Sequence, residues 1–345
     1  MGSQVATIDT NESQKEPGYM KAIVQDTYGG TDVLKLRDIG KPIVGDDDIL
    51  VKVHAAGVDA GVWHVMAGLP YMIRIAGFGL RAPKQPIRGV DLSGQVEAVG
   101  KNISQFKPGD DVYGTANGTY AEYAVTTGEK LSLKPTNLSY EQAAAVPTSA
   151  LTALQAVRNQ ANVKPGQKVL VVGASGGVGS FAVQIAKAMG AKVTGVASTP
   201  KLDMLHTIGV DHVIDYRRED FTRQSERYDI IVDTGGLRSV ASMREVLTVN
   251  GTLVIVGGEG GGKWTGGAGR GLLAIALSPF VKHNLRNFIA NSNKEDLLTL
   301  KTLIEAGEIT PVVDQTFSLV ETPKAIRYLK DGKVKGKIVI SVRNL

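Results

Sequence analysis

The sequence predicts an α/β protein in which a compact, barrel-like β domain precedes a parallel sheet covered by helices on both faces. Three observations carry this prediction. The first half holds short β-branched or alternating runs separated by Gly-, Pro- and Asp-rich turns. Strand and helix patterns alternate after residue 140. Near residue 173 a buried-type strand runs into a glycine-rich turn and an amphipathic helix. The 345 residues suit about two domains.

Taken in order, strands are expected over residues 21–25, 49–54, 94–99 and 120–125, with turns such as Tyr28-Gly29-Gly30, Gly45-Asp46-Asp47-Asp48 and Lys107-Pro108-Gly109-Asp110. Ser139 and Gln142 stand three apart and form a capping box that starts a helix; a second helix is expected over 148–159. Strands then fall at 168–172, 192–196, 212–214, 229–232 and 252–256, and helices at 177–189, 201–208 and 238–246. The helix at 177–189 buries Val178, Ala182, Ile185 and Met189 on one face and stops at Gly190, a suitable left-handed cap. Residues 257–271 contain nine glycines and suit either a surface connection or a loop crossing a ligand site. Helices at 294–305 and 323–330 and a strand at 337–342 complete the chain.

Composition narrows the function. Hydrophobic residues make up 43% and charged residues 21%, ordinary globular values. Forty-one glycines, nearly twice the usual share of about 7%, follow no collagen-like period. The net charge of +5 is mild, and basic residues are interleaved with acids, as in Arg217-Arg218-Glu219-Asp220, so no nucleic-acid partner is expected. The absence of cysteine excludes disulfides, thiolate metal sites and cysteine nucleophiles. Residues 1–19 read as a disordered polar tail without a secretory core segment. The apolar stretch at 272–281 is broken by Ser278-Pro279, far short of the ~20 residues that span a bilayer. A cytoplasmic protein with no membrane partner is expected.

The sharpest motif is Gly173-Ala174-Ser175-Gly176-Gly177-Val178-Gly179 after the strand at 168–172. Glycines permit a tight turn, bring bare amides against a pyrophosphate and let helix and strand pack closely. The following helix adds aligned N–H groups and a favourable dipole. A nicotinamide dinucleotide is the expected cofactor. An NAD site wants an acidic residue at the end of the second strand for the ribose 2′-hydroxyl. Here Ala197-Ser198-Thr199-Pro200-Lys201 stands instead. A hydroxyl and an ammonium suit a 2′-phosphate, so NADP(H) is expected rather than NAD(H), with Ser198, Lys201, Tyr216 and Arg217 as contacts. The plain alternative for Lys201 is a solvated lysine at a helix start.

Several further motifs occur in order: Val51-Lys-Val-His-Ala-Ala-Gly-Val-Asp59, Gly89-Val-Asp-Leu-Ser-Gly-Gln-Val-Glu-Ala-Val-Gly100, Phe106-Lys-Pro-Gly-Asp-Asp-Val-Tyr-Gly114, Val146-Pro-Thr-Ser-Ala-Leu-Thr-Ala-Leu154 and Gly336-Lys-Ile-Val-Ile340. With the glycine motif they resemble the zinc-independent medium-chain dehydrogenases/reductases of the quinone oxidoreductase and enone reductase group, from Met20 to the end. The resemblance implies a GroES-like domain built from residues 20–140 and 293–345, a Rossmann domain over 141–292, a hydride-transfer cleft between them, and commonly a homodimer. It also implies nicotinamide-side contacts from Thr148, Ser149 and Thr152, and backbone contacts to the carboxamide from Gly257 and Gly258. Zinc-dependent relatives carry Gly-His-Glu where this chain has Gly89-Val90-Asp91, and they use cysteine ligands. The five histidines, at 54, 64, 206, 212 and 283, have no metal-like spacing, so no zinc is expected.

Without a metal, the accessible chemistry is hydride addition to an electron-poor acceptor, a small apolar quinone or α,β-unsaturated carbonyl. The resemblance places the loop after the second β strand at the nicotinamide. Relatives usually have Asn or Ser where Asp59 stands, and Lys or Tyr where His64 stands. Asp59 suits a bond to ribose or substrate, or a turn cap. His64 suits proton donation, or a structural place in the core. Tyr71 is a further donor candidate. Residues 62–86 suit an apolar substrate pocket or a core-packing excursion. A zinc-free alcohol or ketone dehydrogenase and a non-catalytic NADPH-binding protein remain the competing readings.

Overall fold

The computed structural model describes residues 18–236, 238–257 and 262–343. Residues 1–17 of the expected tail and Gly258 lie outside them, while Tyr19 already belongs to a strand. The β domain begins with a hairpin of β1 (Tyr19–Val24) and β2 (Lys35–Gly40). It continues with β3 (Asp48–Val58), helix α1 (Ala60–Ala67), β4 (Asp91–Val99), β5 (Asp111–Thr115), β6 (Tyr123–Thr127) and β7 (Leu131–Leu133). The chain returns at its end with β14 (Val313–Ser318), α9 (Thr322–Lys330) and β15 (Lys337–Ser341). The strand order is β14-β15-β3-β4-β5-β7. On its other side β3 pairs with β6 along its first half and with β15 along its last residues, and this change of partner curls the sheet. Ile49, Val51 and Val53 of β3 face Leu92, Val112, Leu131, Ile338 and Ile340 in one core.

Helices α2 (Tyr140–Ala144) and α3 (Pro147–Leu154) carry the chain into the second layer. The Ser139–Gln142 capping box is present in both its halves. The expected helix at 148–159 is α-helical only to Leu154 and then widens into a π turn over Gln155–Gln160, where the Gln155 amide donates to the Asn291 carbonyl at 2.7 Å.

The second sheet contains β8 (Lys168–Val172), β9 (Lys192–Ala197), β10 (His212–Asp215), β11 (Tyr228–Asp233), β12 (Leu247–Ile255) and β13 (Asn284–Asn287). All its pairings are parallel, in the order β10-β9-β8-β11-β12-β13. Alternate residues of β8 explain the two-sided cover. Val169 and Val171 pack with α4 (Gly177–Ala188), α5 (Leu202–Thr207) and α8 (Lys294–Glu305), whereas Leu170 and Val172 face α6 (Val240–Glu245) and α7 (Ala268–Leu277). The order reverses between β8 and β11, and ligands of such sheets bind in the crevice beyond those strand ends.

One expectation is corrected here. The glycine-rich segment 257–271 is not a loop throughout, because α7 starts at Ala268 and includes Gly269 and Gly271. Packing on β13 overrides the poor helix propensity of glycine, since a Cβ at Gly271 would stand 2.6 Å from the Asn287 side chain.

Candidate active site

The crevice between β8 and β11 is a cleft of about 350 Å³. Gly173 turns the chain at φ +79° after β8, and its amide donates to the Val196 carbonyl of β9. Gly179 sits against this turn, where a Cβ would lie 2.2 Å from the Gly173 carbonyl oxygen. Gly173, Ser175, Gly176, Gly177 and Val178 line the cleft, while Ala174 and Gly179 face inward. Thr234 and Gly235, which follow β11, form the facing wall, and the Thr234 hydroxyl donates to the Val172 carbonyl at 2.8 Å. The residues present therefore fit a dinucleotide: bare amides at the N-terminus of a 12-residue helix, at a switch point of the sheet.

At the far end, Ser198, Lys201 and Tyr216 line the same cleft. Lys201 Nζ donates to the Gly332 carbonyl at 2.8 Å. Burial lowers its pKa, the charge of Asp314 opposes this, and those of Lys335 and Arg217 lower it further, so three cations gather here around one carboxylate. The carboxylate at the end of β10, Asp215, is buried and turned to the Thr199 hydroxyl and the Arg217 amide. Asp59 is the one acidic residue lining the cleft.

Asp59 marks the inner end of the cleft. It occupies the N-cap position of α1, yet its side chain does not cap the helix. Its carboxylate instead accepts from Ser149 Oγ at 2.9 Å and pairs with Lys337 Nζ. Lys337, the first residue of β15, is 2% exposed; its Nζ also donates to Ser149 Oγ at 3.1 Å and stands 3.5 Å from Asp91 Oδ2. Asp91, fully buried at the start of β4, accepts from the Thr148 amide at 3.0 Å and from the Thr148 hydroxyl. Two carboxylates thus share one ammonium. Burial opposes ionisation of all three groups, but Lys337 still holds Asp59 below the usual carboxylate range. Burial and then the Asp59 charge push Asp91 well above it. The two carboxylates keep Lys337 above its ordinary value despite its burial. Of the two carboxyls, Asp91 is therefore the one that keeps a proton to the higher pH.

A second cavity, of about 340 Å³, opens on the other side of Asp59. Val62 and Val65 of α1, Phe78, Ile87 and Val90 give it apolar walls, and Arg88, Lys84 and Thr148 add polar groups. Residues 62–86 thus supply part of its lining as well as core contacts such as Met66.

The structure brings Asp59 and the glycine turn together with Ser198, Lys201 and Tyr216. Ser149 lines this cleft, whereas Thr148 and Thr152 open on a neighbouring cavity with Thr115, Asn117 and Asn291. His64 is half-buried with Nδ1 3.1 Å from the Leu69 carbonyl oxygen, and it lines none of these three cavities. Nor does Tyr71, whose ring packs edge-on against Trp264 at 5.4 Å. Its amide donates to the Lys263 carbonyl at 2.7 Å, so the excursion at 62–86 and the glycine-rich segment are in contact. Gly257 is exposed and lines none of them either.

Sequence reasoning missed Asp91, Lys337 and Arg88. A lysine opening the otherwise buried strand Lys337–Ser341 was the available signal. Among the described residues, no group of three or more His, Cys, Asp or Glu side chains is placed to hold a metal, so the donor set does not fit a zinc site.

Comparison with known proteins gives consistent results. Residues 45–136 match the alcohol dehydrogenase GroES-like domain, and residues 208–340 match the zinc-binding dehydrogenase domain. The chain is 31% identical to a 2-methylene-furan-3-one reductase of Solanum lycopersicum, over 98% of this chain and 83% of the relative. It is 30% identical to a chloroplastic NADPH-dependent alkenal/one oxidoreductase of Arabidopsis thaliana, with the same coverage of 98% and 83%. The solved quinone oxidoreductase from Coxiella burnetii superposes with a TM-score of 0.83 at 31% identity, covering 94% of this chain and all of that one.

Proposed function

The chain belongs to the medium-chain dehydrogenase/reductase family, in its quinone oxidoreductase and enone reductase group, and from that premise we propose that it is an NADPH-dependent reductase of conjugated carbonyls or quinones that works without a metal. The observation that carries this reading is the meeting of the dinucleotide cleft and the apolar cavity at a single residue, Asp59. Reduced nicotinamide, when bound there, supplies a hydride for the electron-poor carbon of the acceptor.

The chain's own part is binding and orientation. The amides of Gly177 and Val178 receive the pyrophosphate, and the cations around Lys201 receive the 2′-phosphate. Asp59, held in place by Lys337 and Ser149, orients the nicotinamide ribose. The apolar walls formed by Val62, Val65 and Phe78 exclude water from the reacting face. Since neither His64 nor Tyr71 lines the cavity, the reduced acceptor takes its proton from water at the cavity mouth. A homodimer is part of the same reading. Strand β13 is an edge of the parallel sheet, and exposed Leu272, Leu273, Phe280 and Ile289 lie on the segments around it. The lack of cysteine suits a reducing compartment, and we place the enzyme in the cytoplasm.

The test is loss of nicotinamide absorbance with NADPH and NADH in parallel, against a quinone, an enone and a saturated ketone. Turnover of the first two with NADPH is expected, and the Lys201→Ala variant raises KM for NADPH roughly tenfold while leaving NADH unchanged. Faster reduction of the saturated ketone, or a preference for NADH, overturns the reading.

A further inference from the structure

Arg88 stands apart from two other cations of low exposure. Lys337 is paired with Asp59 and Asp91, and Arg270, in α7, binds Asp233 at 2.6 Å. Arg88 is 5% exposed, yet its Nε and Nη2 have no hydrogen-bond partner, and among the described residues no ion pair reaches it. The titratable side chains that act on Arg88 are the hydroxyls of Tyr28 and Tyr120, and neither is a carboxylate. Both hydroxyls are spent on backbone carbonyls, of Phe78 and Gly79 for Tyr28 and of Gly57 for Tyr120. A buried guanidinium left in this state lowers stability. Such a group calls for an explanation, and a ligand that supplies the missing charge is one.

The cavity that Arg88 lines narrows what that ligand is. Lys84 lines it too and has no ion pair among the described residues. The single carboxylate in its wall, Asp59, is occupied by Lys337. The remaining wall is mainly apolar, from Val62, Val65, Phe78 and Ile87. The complement of this cavity is an apolar body with an anionic end.

We infer that the acceptor is a conjugated carbonyl or quinone carrying a carboxylate, which Arg88 binds while the reducible bond faces Asp59. The inference rests on the hydride-transfer reading above for its orientation, and on Arg88 alone for its charge. Arg88 is thus a specificity residue. Its planar fork of donors matches a carboxylate better than an ammonium would.

The test uses para-carboxybenzalacetone and its methyl ester as acceptors with NADPH, for the wild-type enzyme, Arg88→Met and Arg88→Lys. Wild type is expected to favour the acid by roughly tenfold to a hundredfold in kcat/KM, as for hydrogen bonds to a charged group. Arg88→Met abolishes that preference, an unchanged melting temperature and NADPH affinity showing that the variant is folded, and Arg88→Lys retains part of the preference. In parallel, the saturated carboxylate product and its ester are titrated calorimetrically into the NADP-loaded proteins. Wild type without a preference for the acid in either assay, or an equal loss on acid and ester in Arg88→Met, overturns the inference. Arg88-dependent binding of the saturated acid with no turnover of any acceptor sustains the anionic site and overturns the hydride-transfer reading instead. Turnover of both acceptors without charge preference does the reverse.

Discussion

The two walls around Asp59 are built on opposite principles. On the dinucleotide side, the motif occupies seven consecutive residues, and most of its work is done by backbone: amides, a helix end and the space left by missing side chains. On the β-domain side, the work is done by charged side chains that meet only in three dimensions. Lys337 and Asp59 are 278 residues apart, Ser149 and Asp59 90, and Thr148 and Asp91 57. The local wall has to be small; the assembled wall has to be electrically balanced. Removing a group should therefore cost most on the second wall, and adding a group should cost most on the first.

The largest effect is expected from Lys337→Met. It leaves Asp59 and Asp91 buried without their counter-ion, and breaking a buried ion pair from one side costs about 3–5 kcal/mol. Urea unfolding measures this, with the double variant Lys337→Met/Asp59→Asn recovering part of the loss. If the single variant is as stable as wild type, the cluster is not the electrostatic unit described here.

The glycine wall gives a smaller and divided response. A methyl group at Gly179 would lie 2.2 Å from the Gly173 carbonyl oxygen and 2.8 Å from Ala174 Cα, whereas one at Gly176 meets only the Gly173 oxygen at 3.4 Å. Gly179→Ala should cost about 1–3 kcal/mol, as overpacking does, while Gly176→Ala should leave stability nearly unchanged and weaken NADPH binding. Thermal melts with and without NADPH separate the two. Equal melting temperatures for the apo variants would remove the distinction between the packing glycine and the binding glycine.

The same contrast explains what the sequence made legible. Strand β8 and helix α8 match their expected bounds, because each has uninterrupted local patterning and, for α8, a capping Asn293 that accepts from the Asp296 amide at 2.8 Å. Strand β2 escaped detection because five of its six residues are exposed and none is buried, so no alternation marks it. Helix α7 was hidden by its internal glycines, of which Gly271 packs too closely on Asn287 to carry a side chain. Gly173–Gly179 and Ser198–Lys201 were readable as a cofactor site because proximity in sequence is proximity in space there. Asp59 was readable only as a polar residue in the right loop. Its partner Lys337 was not, since nothing short of the β15–β3 pairing brings the end of the chain beside that loop.

The mildest expectation concerns an ion pair that should behave unlike the buried one. Glu305, at the end of α8, accepts from the Thr136 amide at 2.9 Å and the Thr136 hydroxyl at 3.0 Å, and pairs with Lys301 at 2.5 Å. It thereby ties the turn after β7 to the helix. The Lys301 bond, followed by the Thr136 amide, holds the carboxyl at a pKa of about 2 against an ordinary 4.5. A folded-state value below the unfolded one means stabilisation that is fully present above pH 4.5 and lost as the pH falls towards 2. Melting curves of wild type and Glu305→Gln should differ at neutral pH by less than either variant above, and converge through that window. Because this pair is open to solvent, added salt should shrink the difference at neutral pH, while the Lys337→Met deficit should hardly respond. A salt-insensitive Glu305 effect would mean that the Thr136 hydrogen bonds, rather than the charge on Lys301, hold this junction.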